Sequence, residues 1–153
     1  MKIDIVVNKS LLSTHVDPDE TLLEVLRKKG YTSVKQGCDT SNCGLCTVWL
    51  DGTPILSCSY LAVRAEGKEV TTLEGIKEEA QKFGAFLSEE GGEQCGFCSP
   101  GLIMNVVYLK KNFTNPSEDE INTFLAGNLC RCTGYSSQMR AIKKYCECDY
   151  DNI

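Results

Sequence analysis

The chain has 153 residues, enough for one ordinary domain or two small ones, and its 21 acidic against 16 basic side chains leave a net charge of -5. That balance argues against nucleic acid or an anionic membrane surface as a partner, and no apolar run approaches the roughly 18 residues of a membrane span. The start, Met1-Lys2-Ile3-Asp4-Ile5, alternates and carries charge where an export signal would be apolar, so the expected location is the cytoplasm.

Residues 2–7 alternate as a strand does, Asn8-Lys9 supply a turn, and residues 10–16 return as a second strand. Asp17-Pro18-Asp19-Glu20-Thr21 opens a helix whose apolar stripe is Leu22, Leu23, Val25 and Leu26; Lys28-Lys29-Gly30 closes it with positive charge and a glycine. After a loop over 37–46, residues 47–50 are β-prone, Asp51-Gly52 is a hairpin signal, and Ile55-Leu56-Ser57-Cys58 forms the partner strand. Residues 70–72 add one more. The loop carries Cys38, Cys43 and Cys46, and Cys58 arrives from the neighbouring strand. This spacing, C-x4-C-x2-C-x11-C, is the order of plant-type 2Fe–2S ferredoxins. A two-iron rhomb needs four thiolates, three of which one tight loop can supply, and Gly37 and Gly44 sit where that loop must turn close to the cluster. By analogy with plant ferredoxins, this half is expected to be a small mixed sheet with one helix, a β-grasp layout.

Beyond the joint Thr71-Thr72-Leu73-Glu74-Gly75 the strand signals stop. Residues 76–90 place Ile76, Ala80, Phe83 and Leu87 on one helical face, and Gly91-Gly92 end that helix. Gln94-Cys95-Gly96-Phe97-Cys98-Ser99-Pro100-Gly101 leads into a helix over 102–111, with Pro100 suited to a first turn. Ser117 and Glu120 form a capping box for a third helix, and Gly127-Asn128-Leu129-Cys130-Arg131-Cys132-Thr133-Gly134-Tyr135 precedes a fourth over 136–145. The half repeats itself: helix, cysteine pair, helix, twice. Two such hairpins related by a pseudo-twofold would form a four-helix bundle in which Cys95, Cys98, Cys130 and Cys132 converge near helix N-termini, where free N–H groups favour thiolate. Their spacing, C-x2-C-x31-C-x-C, is no ferredoxin pattern and taken alone also suits zinc. The expected fold class is α+β: a β-grasp, plant-ferredoxin-like domain over 1–75, then an all-α four-helix bundle domain over 76–153.

Across nearly its whole length the chain resembles the small iron–sulfur subunit, or N-terminal region, of molybdenum hydroxylases, the xanthine dehydrogenase and aldehyde oxidoreductase family. The resemblance rests on Gly37-Cys38 through Val48, on 71–75, on 94–101 and on 127–135. It implies two 2Fe–2S clusters, one per domain, with Cys38, Cys43, Cys46 and Cys58 holding one and Cys95, Cys98, Cys130 and Cys132 the other. It further implies an electron-transfer subunit without catalytic residues of its own. The helical-domain cluster would lie beside a molybdopterin on a large partner subunit, and the β-domain cluster towards FAD on a medium one. Gln94 and Cys132 resemble the residues that touch the pterin. Members often carry a glycine inside the first loop where this chain has Ser41, and a glutamate where it has Gln36; Ser41 brings a hydroxyl near the cluster. The alternatives are a free-standing two-cluster ferredoxin and a zinc-stabilised interaction module.

Other residues carry plainer expectations. His15 is the only histidine, far in sequence from every cysteine, and is expected at the surface. Trp49 and Phe97 are expected in the core or shielding a cluster, and the Lys/Glu runs at 77–90 and 110–120 on solvated helix faces. Cys146 and Cys148 fall outside both ligand patterns, in an acidic tail expected to fray.

Overall fold

The computed structural model describes residues 1–148; of the acidic tail, residues 149–153 lie outside the described residues. β1 (Lys2–Val7) and β2 (Ser10–His15) form an antiparallel hairpin running in register from Lys2–His15 to Val7–Ser10. Asn8 and Lys9 both take left-handed φ, 50° and 68°, as a two-residue turn matched to strand twist requires. Asp51 and Gly52, at 49° and 80°, do the same between β3 (Thr47–Leu50) and β4 (Thr53–Leu56). β5 (Glu69–Thr71) lies between the hairpins, parallel to β1 and antiparallel to β3, giving the order β2-β1-β5-β3-β4. α1 (Leu22–Lys28) packs its stripe on this mixed sheet, and Leu22 and Leu26 share one core with Ile5, Val7, Val48 and Val70.

Two details differ from expectation. Helix α1 begins at Thr21 rather than among the acidic residues before it. The Thr21 hydroxyl accepts from the Glu24 amide and the Glu24 carboxylate accepts from the Thr21 amide, whereas Asp17–Glu20 form a turn. Nor does Cys58 lie on a strand. β4 ends at Leu56 because the Ser57 amide and hydroxyl both donate to the Cys46 carbonyl, at 3.3 and 2.7 Å, which folds 57–59 into a 3-10 turn.

The remainder is helical: α2 (Lys77–Glu89), α3 (Ser99–Asn112), α4 (Glu118–Phe124) and α5 (Ser136–Glu147). α2 packs against both α3 and α5 around Phe83, Leu87, Met104, Leu109, Ile121 and Tyr145. α3 starts three residues earlier than the apolar pattern indicates, with Cys98 as N-cap and Pro100 in the first turn. The charged runs do lie on solvated faces, yet they pair across helices, Glu79 with Lys111 and Glu90 with Arg140 and Lys144. Surface ion pairs of this kind contribute little to stability. Among the described residues no helix is long and apolar enough to cross a membrane. His15 is exposed on β2, as expected.

The halves are tied at the joint and at Trp49. Trp49 leaves the sheet to enter the helical core, donating from Nε1 to the Met104 carbonyl at 3.1 Å and meeting Tyr108 edge-on. Thr72 is fully buried; its amide donates to Asn8 Oδ1 and its hydroxyl accepts from Asn8 Nδ2, each at 2.9 Å. The Glu74 carboxylate then accepts from the Thr72 hydroxyl (2.5 Å), the Ser33 hydroxyl (2.6 Å) and the Ser33 amide (3.2 Å). Burial pushes the Glu74 carboxyl up, but these donors outweigh it and hold the group below its ordinary value.

The stability that Glu74 contributes is therefore complete above the unfolded value of 4.5 and is lost as pH falls through the lower folded one. Glu74→Gln is expected to cost about 2 kcal/mol at neutral pH, in keeping with hydrogen bonds to a charged group. In urea titrations the gap to the native chain should close below pH 4.5; a gap unchanged from pH 7 to pH 3 would contradict this role.

Candidate metal centres

Eight cysteines stand on two loops and two turns. The first loop folds back on itself: the Lys35 amide donates to the Leu45 carbonyl, and the Thr47 amide and hydroxyl both donate to the Gly44 carbonyl. A Cβ at Gly37 would reach Leu45 Cδ2 at 2.6 Å and Cys43 Sγ at 3.4 Å, so the Leu45 side chain would have to shift to admit one. Cys38 neighbours Cys43, and Cys46 neighbours Cys58. The Ser41 hydroxyl lies 3.5 Å from Cys58 Sγ, and Ser41 itself holds φ 55°.

The second set comes from the turn before α3 and the loop before α5. Cys95 Sγ and Cys132 Sγ are 3.5 Å apart, and Cys98 neighbours Cys130. Cys98 stands at the N-cap position of α3, as the helix-terminus reading expects. Cys130 and Cys132 do not sit on α5's first turn, because Tyr135, at φ 71°, reverses the chain between them. That loop is closed by its own residues: the Cys130 amide donates to the Tyr135 phenol at 3.0 Å, and the Tyr135 amide donates to the Thr133 hydroxyl at 3.2 Å. The Thr133 hydroxyl in turn lies 3.2 Å from Cys130 Sγ.

The environments of the thiols are unequal. Burial pushes Cys46 up to about 11, and burial with the neighbouring Cys130 does the same for Cys98. Cys38 is drawn down to about 6 by the Asn42 amide, Cys43 and the Thr40 amide. A buried sulfur that resists ionisation becomes a thiolate readily only beside a cation. Among the described residues no three Cys, His, Asp or Glu side chains converge on one point, as a single ion requires. The sulfurs stand as four pairs, and two thiolates per iron is the donor set of a two-iron rhomb.

Both sets open onto one cavity of about 450 Å³, lined by Cys38 and Cys43 on one side and by Cys95, Cys98, Cys130 and Cys132 on the other. Cys46 and Cys58 do not line it. The loops touch directly, the Leu129 amide donating to the Cys43 carbonyl at 2.9 Å. Phe97, Leu129 and Tyr135, each 45–47 % exposed, also line the cavity, so Phe97 screens its edge and is no core residue. Gln94 is exposed beside Cys95 and does not line the cavity.

Residues 5–69 match a model described as a 2Fe-2S iron-sulfur cluster binding domain, and residues 72–143 match a second, described as a [2Fe-2S] binding domain. The chain is 47 % identical over 144 residues to the xanthine dehydrogenase iron-sulfur-binding subunit of Escherichia coli O157:H7, covering 92 % of this chain and 91 % of that one. It belongs to the small iron–sulfur subunits of the molybdenum hydroxylases. It is also 39 % identical to the nicotinate dehydrogenase small FeS subunit of Eubacterium barkeri, over 92 % of each. In structure it is similar to quinoline 2-oxidoreductase from Pseudomonas putida 86, with a TM-score of 0.88, 35 % identity, and coverage of 95 % of this chain and 92 % of that one.

The residues that spacing alone did not single out are Gln138, which reaches Cys98, and Asn105, which bonds Asn128 of the second loop at 2.7 Å. Gln138 had a sequence signal, a polar residue on the stripe that continues as Ala141, Ile142 and Tyr145 of α5. Cys43 is buried and paired with Cys38, so Cys43→Ser is expected to abolish one electron paramagnetic resonance signal of the iron-loaded protein and halve its iron. Both signals surviving would refute Cys43 as a ligand.

Proposed function

We propose that this small subunit carries two 2Fe–2S clusters, one held by Cys38, Cys43, Cys46 and Cys58 and the other by Cys95, Cys98, Cys130 and Cys132. When bound, such clusters supply one-electron transfer. The chain's own task is to hold them at fixed separation, keep water from their sulfurs and present them to partners. The division proposed is a β-grasp domain over 1–75 and a four-helix bundle domain over 76–153 with pseudo-twofold symmetry. It is supported by the two separate cores and by the two matched regions, which part between residues 69 and 72.

The observation that carries the reading is the hydrogen bond between the Leu129 amide and the Cys43 carbonyl. Cys43 belongs to the first ligand set, and Leu129 precedes Cys130 of the second, so one bond links the two sets through backbone alone. Free two-cluster carriers need no covering partner. Here Phe97, Leu129 and Tyr135 leave apolar surface around the mouth of the cysteine cavity, and the relatives are named as subunits. We place the chain in a complex with a molybdopterin-binding large subunit, faced by Gln94 and by Cys132 of the exposed Cys95–Cys132 pair. An FAD-binding medium subunit lies towards the first set. Ten cysteines, none of them disulfide-bonded, accord with a reducing cytoplasm.

Purification from the native source under anaerobic conditions tests this. The chain should elute with two larger subunits, and its own share of iron and acid-labile sulfide should be about four of each, two per cluster. A chain that elutes alone with both clusters stable is a free-standing ferredoxin and overturns the assignment to a complex. Zinc in place of iron overturns the clusters themselves.

A further inference from the structure

Gln138 is 4 % exposed, on the inward stripe of α5. A buried amide is costly unless it finds partners. Its Nε2 lies 3.4 Å from the Gly92 carbonyl and 3.7 Å from Cys98 Sγ. The Gly92 carbonyl can only accept, so the nitrogen and not the oxygen of the amide must face this corner. The two hydrogens on that nitrogen then serve two acceptors, one of them a sulfur. The arrangement has little slack: a Cβ at Gly92 would meet Leu87 Cδ2 at 3.0 Å and the Gln138 backbone at 3.4 Å.

We infer that Gln138 sets the reduction potential of the cluster held in the helical half, by donating an amide hydrogen to Cys98 Sγ. This rests on the ligand assignment proposed above. Reduction adds one electron and makes or breaks no bond, so the cost is that of placing one more negative charge among four thiolates in a partly buried site. A fixed N–H dipole aimed at one sulfur offsets part of that charge and raises the potential. The Thr133 hydroxyl lies against Cys130 in the same way. Side-chain donors thus gather on the Cys98–Cys130 pair, while Cys95 and Cys132 have only each other as side-chain partners among the described residues. Gln138 is a positioning residue that touches a ligand and not the irons.

The test is a dithionite titration of the assembled, iron-loaded complex followed by electron paramagnetic resonance, comparing the native chain with Gln138→Leu, which fills similar volume without a donor. The helical-half signal should need a lower potential to appear. Its equilibrium constant for reduction should fall several-fold, approaching the tenfold that equals about 59 mV for one electron. The other signal should not move and serves as the internal control. Unchanged potentials for both signals would overturn the inference. If Gln138→Leu loses iron, Gln138→Met takes its place under the same readout, and loss of the cluster in both would show a purely structural role and overturn it too. A native complex that lacks the second signal would instead refute the ligand assignment, so the two failures are distinguishable.

Discussion

Two cysteine loops from unlike halves of the chain meet backbone to backbone, and this contact governs the architecture. The Leu129 amide reaches the Cys43 carbonyl only because nothing stands between the chains there. A Cβ at Gly101 would run into the Gly44 carbonyl, and one at Gly44 into the Gly127 carbonyl and, at 2.8 Å, Asn128 Nδ2. Gly44 also takes φ 74°, so both sterics and backbone conformation demand glycine. Asn105 of α3 completes the seam, its Nδ2 donating to Asn128 Oδ1 and lying 3.5 Å from the Thr47 hydroxyl of the other half. Trp49 ties the halves from another direction, donating to the Met104 carbonyl.

Within that frame the sulfurs are arranged for charge. Two pairs join a buried cysteine to a more accessible one, Cys43 with Cys38 and Cys46 with Cys58, while Cys98 and Cys130 are both half-buried. The buried member resists becoming a thiolate in an apolar setting, which makes metal binding and folding of these loops mutually dependent. The exposed Cys95–Cys132 pair turns the other way, towards the surface that apolar side chains surround.

Much of this was legible in the sequence because it is local. The Asp51-Gly52 turn, the Ser117–Glu120 capping box and the Gly91-Gly92 stop are decided within a few residues, and the structure bears each of them out. What was not legible depends on contacts between distant segments. Gly44 reads as a turn glycine, yet its tighter constraint is the Gly127 carbonyl far along the chain. Cys58 reads as a strand residue, but the Cys46 carbonyl captures Ser57 and turns the chain before it. Trp49 sits in a strand of one half and serves the core of the other. Gln138 breaks an apolar stripe for a reason that only the position of Cys98 explains.

The central claim is that two distinct clusters sit in adjacent loops of one polypeptide, and counting unpaired spins in the fully reduced, anaerobically prepared protein tests it most directly. The account predicts two spins per chain, with signals broadened by each other because the loops share a backbone hydrogen bond. One spin per chain, or two with no sign of mutual interaction, would contradict it.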